Sequence, residues 1–204
     1  MCRPRNSSTI AGLLLLMMAS HGPSMEAAQQ NAPTKSEPET SRGFKEFTDR
    51  VHAYVNVHKS AASGVPGGKP TDLPEVIAAR QLALARKIRE ARPNAKTGDI
   101  FSEEATKEFR AVIEAQFNGP EGRNMRTTIR QGEPVPGLQL KVNQPYPRGT
   151  PITTVPPDLL LKLPKLPDVV EYRIVDRDFV LLDVEANLVV DVIPGALPRS
   201  VETR

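Results

Sequence analysis

Tryptophan is absent from these 204 residues, tyrosine occurs three times and phenylalanine six, so any core is expected to be mostly aliphatic. Cysteine occurs once, as Cys2, ahead of the N-terminal apolar run rather than at its end, where a lipoprotein anchor would need it. Once an N-terminal segment is removed the chain has no thiol, which excludes disulfides, thiolate metal sites and cysteine nucleophiles. H-E-x-x-H and G-x-S-x-G are missing too, and with them the common hydrolase templates. Neither charge sign dominates: 27 basic residues face 24 acidic ones for a formal charge of +3, which gives no argument for nucleic acid.

What is present begins with an export signature over residues 1–28. Arg3 and Arg5 precede the apolar run from Ile10 to Ala19, and small residues follow. The run is far shorter than the ~20 apolar residues that cross a bilayer as a helix, so the expectation is a periplasmic or secreted protein with no transmembrane helix in its mature chain. Cleavage stays open among Ser20, Ser24, Ala27 and Ala28.

Residues 29–42 are Gln, Asn, Pro, Thr, Ser, Glu and Lys with little to bury, the composition of a disordered linker. Residues 43–131 read as a helical region. Phe44, Phe47, Val51, Tyr54 and Val55 recur at helical spacing and predict a first helix from about Gly43 to Lys59. Thr71 or Asp72 is the expected cap of a second, with Pro74 in its first turn and Ile77, Leu84, Ile88 and Ala91 as its buried stripe until Pro93. A third follows Asp99 or Ser102 and buries Ala105, Phe109, Val112, Ile113 and Phe117; residues 121–131 add a weaker one. Residues 132–167 form a proline-rich crossover, in which Leu138, Leu140 and Val142 alternate as a candidate strand and Asp158 to Leu163 make one helical turn that packs its leucines.

Residues 168–195 hold three short β-runs and predict an antiparallel β-meander, followed by a flexible tail over 196–204. With three-residue loops at Asp176-Arg177-Asp178 and Glu185-Ala186-Asn187, Val170, Tyr172 and Ile174 share an all-apolar face with Val180, Leu182, Val184, Leu188, Val190 and Val192. Arg173, Asp183 and Asp191 then share the opposite, mixed face. Asn187 suits the left-handed position that closes such a loop. The fold class is α+β: N-terminal amphipathic helices, a proline-rich crossover and a C-terminal three-stranded meander.

Few residue groups here suggest chemistry. Gly64-Val-Pro-Gly-Gly-Lys69 superficially resembles a phosphate-binding loop, but Pro70 stands where a Ser or Thr must hold magnesium, and the sequence reads as an interhelix loop. His52 and His58 are six apart, on different sides of a helix, and are expected to be structural or exposed rather than metal ligands. Arg80, Arg86, Lys87, Arg89, Arg92 and Lys96 form a basic run that reads first as a solvated helix face and second as a site for an anionic partner. Paired carboxylates do acid/base work or bind calcium, which makes Arg173, Asp183 and Asp191 the candidate surface cluster, with an ion-pair network as its expected role.

Arg80-Gln-Leu-Ala-Leu-Ala-Arg86, Ile88-Arg-Glu-Ala-Arg92, Gly98-Asp-Ile-Phe101, Pro156-Pro-Asp-Leu-Leu160, Leu163-Pro-Lys-Leu-Pro167 and the closing meander are similar to a family of uncharacterised exported bacterial proteins of the kind found in acidobacteria, over residues 70–195. The tail from Tyr146 to Ile193 also resembles the small meander of the periplasmic nickel/cobalt homeostasis regulators. Their histidine-rich segments have no counterpart here. The resemblance names a family without an activity. The expectation is an exported, non-enzymatic binding or accessory protein of the cell envelope. It needs no cofactor or metal, and its partner is an envelope protein or an anionic envelope component. Two alternatives are a periplasmic metal or stress accessory protein and a hydrolase with a carboxylate site on the sheet.

Overall fold

A computed structural model describes residues 41–65, 72–120, 122–131, 138–147, 149–150 and 153–198. The expected export segment, all but the end of the linker, the glycine loop at 66–71 and residues 199–204 lie outside them. The elements in chain order are α1 (Arg42–Ser63), α2 (Pro74–Ala91), α3 (Glu103–Asn118), α4 (Gly122–Gln131), β1 (Thr153–Thr154), α5 (Pro157–Leu160), β2 (Val170–Val175), β3 (Asp178–Asp183) and β4 (Leu188–Ile193). The α+β class is as the sequence predicts. A two-residue fourth strand extends the meander into an antiparallel sheet of order β1-β2-β3-β4.

Helix α1 buries Phe47, Val51, Tyr54, Val55, His58 and Ala61 along one stripe. Its first turn has no acidic residue and no side-chain cap of its own, and α3 supplies one instead. Glu108 accepts from the Gly43 amide at 2.9 Å, the Phe44 amide at 2.8 Å and the Ser41 hydroxyl. The approach needs glycine, because a Cβ on Gly43 would sit 2.7 Å from Glu108 Cδ. Helix α3 is capped by Ser102, whose hydroxyl accepts from the Ala105 amide, and it buries Ala105, Phe109, Ile113 and Phe117.

Helix α2 departs from expectation at its start. Leu73 occupies the cap position in place of Asp72, and Pro74 supplies the helix-compatible φ. Burial is confined to Leu84, Ala85 and Ile88 in the second half; Ile77 is 44% exposed and Ala91 is exposed. The stripe is helical throughout, but its N-terminal end borders an open pocket with Tyr146, Pro147, Gly149 and Thr150 instead of packing into the core.

The few aromatics are concentrated rather than scattered. Phe44, Phe47, Phe101, Phe109, Tyr172 and Phe179 form one ring cluster with neighbouring centroids 4.8–6.2 Å apart, joining α1, the loop before α3, α3, β2 and β3. Around this cluster the core is mostly aliphatic, as expected: valine, leucine, isoleucine and alanine make up most of its buried residues.

The meander is confirmed and its register is not. Val175 pairs with Asp178, so the first loop has two residues, Asp176 and Arg177, with Asp176 at φ 52°. Asp183 pairs with Leu188, so the second has four, Val184 to Asn187, with Asn187 left-handed at φ 48° as expected. Val170, Tyr172 and Ile174 therefore share a face with Phe179, Leu181 and Asp183, while Val180, Leu182, Val189 and Val192 turn to the other. A bulge opposite Leu181 and Leu182 inserts Val190, and bulges re-aim side chains: Val190 and the next residue, Asp191, both turn toward the helices.

Both faces are buried. The helices cover one; Leu138, Leu140, Val142 and Tyr146 cover the other. Residues 138–142 are not the strand that their alternation suggested. The segment instead lies beside β4, with the Asn143 amide donating to Val189 O at 2.8 Å and the Val189 amide to Gln144 O at 3.0 Å. The tail is also anchored at its start: Ala196 and Leu197 are buried, and Arg177 donates twice to Leu197 O. In and just after the short turn α5, Leu159 and Leu163 are buried as expected, but Leu160 and Leu161 are 44% and 81% exposed.

Candidate functional site

Asp183 ends β3 with its side chain fully buried on the helix-facing side. Its Oδ2 accepts from Tyr54 Oη at 2.6 Å and faces His58 Nδ1 at 2.6 Å; its Oδ1 accepts from the Ala186 amide at 2.8 Å. Tyr54 and His58 are one turn apart on α1, so one helical face delivers both. His58 Nε2 lies 3.3 Å from the carboxylate of half-exposed Glu185. With an oxygen acceptor at each ring nitrogen, the imidazolium is the form that satisfies both contacts. The hydrogen bond to Asp183 is the main cause of a raised His58 pKa; burial opposes it, and the charges of Asp183 and Glu185 add to it. Burial first, then the Asp183 charge, pushes the Tyr54 hydroxyl far up, so it stays a neutral donor. Arg92 stacks over the Tyr54 ring at 5.0 Å.

Asp191 is equally buried, but its partners are all backbone. Oδ1 accepts from the amides of Gly98 (3.0 Å) and Val192 (2.8 Å), Oδ2 from those of Ile100 (2.7 Å) and Phe101 (2.8 Å). Gly98 makes the turn possible at φ +91°. Burial pushes the Asp191 carboxyl up and the four amides pull it back. The residue fastens the loop before α3 to β4.

Arg173 does not join them. It lies on the opposite face of the sheet, paired with Glu171 and donating to Tyr172 O. The expected surface cluster of Arg173, Asp183 and Asp191 is thus corrected: the aspartates share a face, but a buried one, and find amides, a tyrosine and a histidine instead of the arginine. Register and bulge together account for the difference. The sequence reading missed Tyr54, His58, Glu185 and the 98–101 amides; a tyrosine and a histidine at i, i+4 beside an apolar stripe was the available signal.

Arg173 instead borders a groove of about 500 Å³ lined by residues 170–173 of β2, by Thr154 and Val155 at the end of β1, and by Leu160 of α5 with the segment 164–166 after it. Val155, Leu160, Pro164, Leu166 and Val170 give it apolar walls, with Lys165, Glu171 and Arg173 as its charged groups. Arg173 Nε is buried without an acceptor.

His52 is exposed, in contrast to His58. Among the described residues no group of three or more His, Cys, Asp or Glu is placed to hold a metal, and no helix is long and apolar enough to cross a membrane. Arg86 in the basic run pairs with Glu90 at 3.8 Å. Comparisons with family models, with curated proteins and with solved structures find no match.

Proposed function

We propose that this chain is an exported, non-enzymatic binding or accessory module of the cell envelope, and that the groove between β2 and α5 is where it binds. The observation that carries this reading is the contrast between the sites. Both carboxylates suited to acid/base chemistry are sealed in the interior with donors from the chain itself, whereas the groove is open, largely apolar and of a size usual for ligand sites, roughly 300–1,000 Å³. Export is supported by the charged start and short apolar run of residues 1–28, and a function without thiol chemistry agrees with the single Cys2. The hydrolase alternative has less support, because a catalytic carboxylate must reach a substrate.

Methyl NMR of the leucines and valines tests the reading. Addition of a panel of neutral, anionic and cationic amphiphiles is expected to shift Leu160, Leu166 and Val170 while the methyls of buried Val51 and Leu188 stay in place. Shifts confined to residues outside the groove would overturn it.

A further inference from the structure

Resting on the reading of the groove as a binding site, we infer that its ligand is an amphiphilic anion: an apolar body lying against Val155, Leu160, Leu166 and Val170, with one oxyanion head between Lys165 and Arg173. Two observations converge on the head. Lys165 is exposed beside the groove and has no ion-pair partner among the described residues. Arg173 carries five N–H donors, and each terminal nitrogen has one hydrogen beyond the contacts to Glu171 and Tyr172 O. The groove's single carboxylate, Glu171, is already committed to Arg173, so the rim carries two cations against one anion. A cationic ligand meets repulsion there, and a neutral one leaves the donors unmatched.

The body follows from the walls. A small hydrophilic anion gains nothing from apolar side chains, while an alkyl or comparable chain removes their surface from water. Leu160, which lines the groove, is itself 44% exposed, so part of the apolar wall faces water. The volume holds one such chain rather than a polymer segment.

Dodecanoate and dodecyltrimethylammonium, each below its micelle concentration, and dodecanol, below its solubility limit, are titrated into the full chain, with affinity read by calorimetry and location by groove methyl shifts. Dodecanoate is expected to bind about tenfold tighter than dodecanol, the cationic amphiphile weakest, with the preference falling as salt rises. Lys165→Ala, at an exposed position that leaves the core untouched, is expected to weaken dodecanoate about threefold and leave dodecanol unchanged. Leu166→Glu, which brings a carboxylate to the wall, is expected to remove dodecanoate binding. Equal affinity for dodecanoate and dodecanol, or indifference of dodecanoate to Lys165→Ala, overturns the anion assignment while leaving the groove a binding site. Absence of groove shifts with all three amphiphiles overturns both.

Discussion

Asp191→Asn separates a structural carboxylate from an inert one with almost no change in shape. In the wild type two amides converge on each carboxylate oxygen, at 2.7–3.0 Å, in a fully buried site. Asparagine keeps one oxygen, so whichever way the amide turns, two of the four backbone donors face an NH₂ group. Each buried donor left without an acceptor costs about 1–3 kcal/mol, which sums to about 2–6 kcal/mol. Replacing a buried charge by a neutral group returns part of that, for an expected net loss of about 2–4 kcal/mol, a large share of a typical ~5–15 kcal/mol stability. Urea melts followed by circular dichroism at neutral pH measure the change, with an unchanged m-value as the check on two-state unfolding. Asp168→Asn at an exposed position is the control and should stay within about 0.5 kcal/mol. The loss should have a local trace as well, faster amide exchange at Gly98, Ile100 and Phe101. A variant that loses less than about 1 kcal/mol, with those amides still protected, would refute the view of Asp191 as the fastener of this loop.

Three further outcomes are expected. Gly43→Ala drives a Cβ to within 2.7 Å of Glu108 Cδ and 2.9 Å of Glu104 O, displacing the group that caps α1, and should cost about 1–3 kcal/mol in thermal or urea unfolding; Gly43→Ala at wild-type stability would show that the cap is dispensable. Asn187→Val puts a β-branched side chain at φ 48° and removes the bond from Asn187 Nδ2 to Tyr146 O, for a loss of about 2 kcal/mol, whereas Asn187→Gly should lose clearly less; equal losses would mean that strain at this position is unimportant. Because the folded state raises the His58 pKa through its bond to Asp183, that contribution is fully present below the unfolded value of about 6.5 and is lost as pH rises through the folded one; melts from pH 6 to 9 should fall in stability with a slope that His58→Gln flattens, and an unchanged slope would exclude the histidine as its source.

The helices were legible because each is amphipathic over many turns. Phe47, Val51, Tyr54 and Val55 on α1, and Ala105, Phe109, Ile113 and Phe117 on α3, recur at a spacing that few other structures tolerate. The exposed half of α2 was illegible for the converse reason: Ile77 continues the stripe of Leu84 and Ile88, and periodicity says which side faces inward but not where the interior ends. The strands were equally plain, yet their pairing was not. Register is locked by alternation only when one face meets water; here Leu138, Leu140 and Val142 cover the second face, so a register that gathers every apolar residue on one side has no advantage over one that divides them.

The same physics explains why the two aspartates were seen and misread. A carboxylate inside an apolar strand must end either at solvent or against donors strong enough to replace water, and the sequence around it does not distinguish these outcomes. For Asp183 the donors include Tyr54, 129 positions away; for Asp191 they include the Phe101 amide, 90 positions away. The bulge that inserts Val190 then turns Asp191 inward against the alternation of its own strand, a reversal that no period-two pattern can encode. The consequences differ with the donors. Backbone amides carry no proton to lose in the physiological range, so the link through Asp191 holds at any pH that leaves the carboxylate ionised. The link through Asp183 includes an imidazole, and its strength follows that ring's charge. Of the two buried carboxylates, only Asp183 therefore ties the sheet to α1 in a way that solution pH can weaken, and it does so at the hairpin whose Glu185 reaches solvent beside His58.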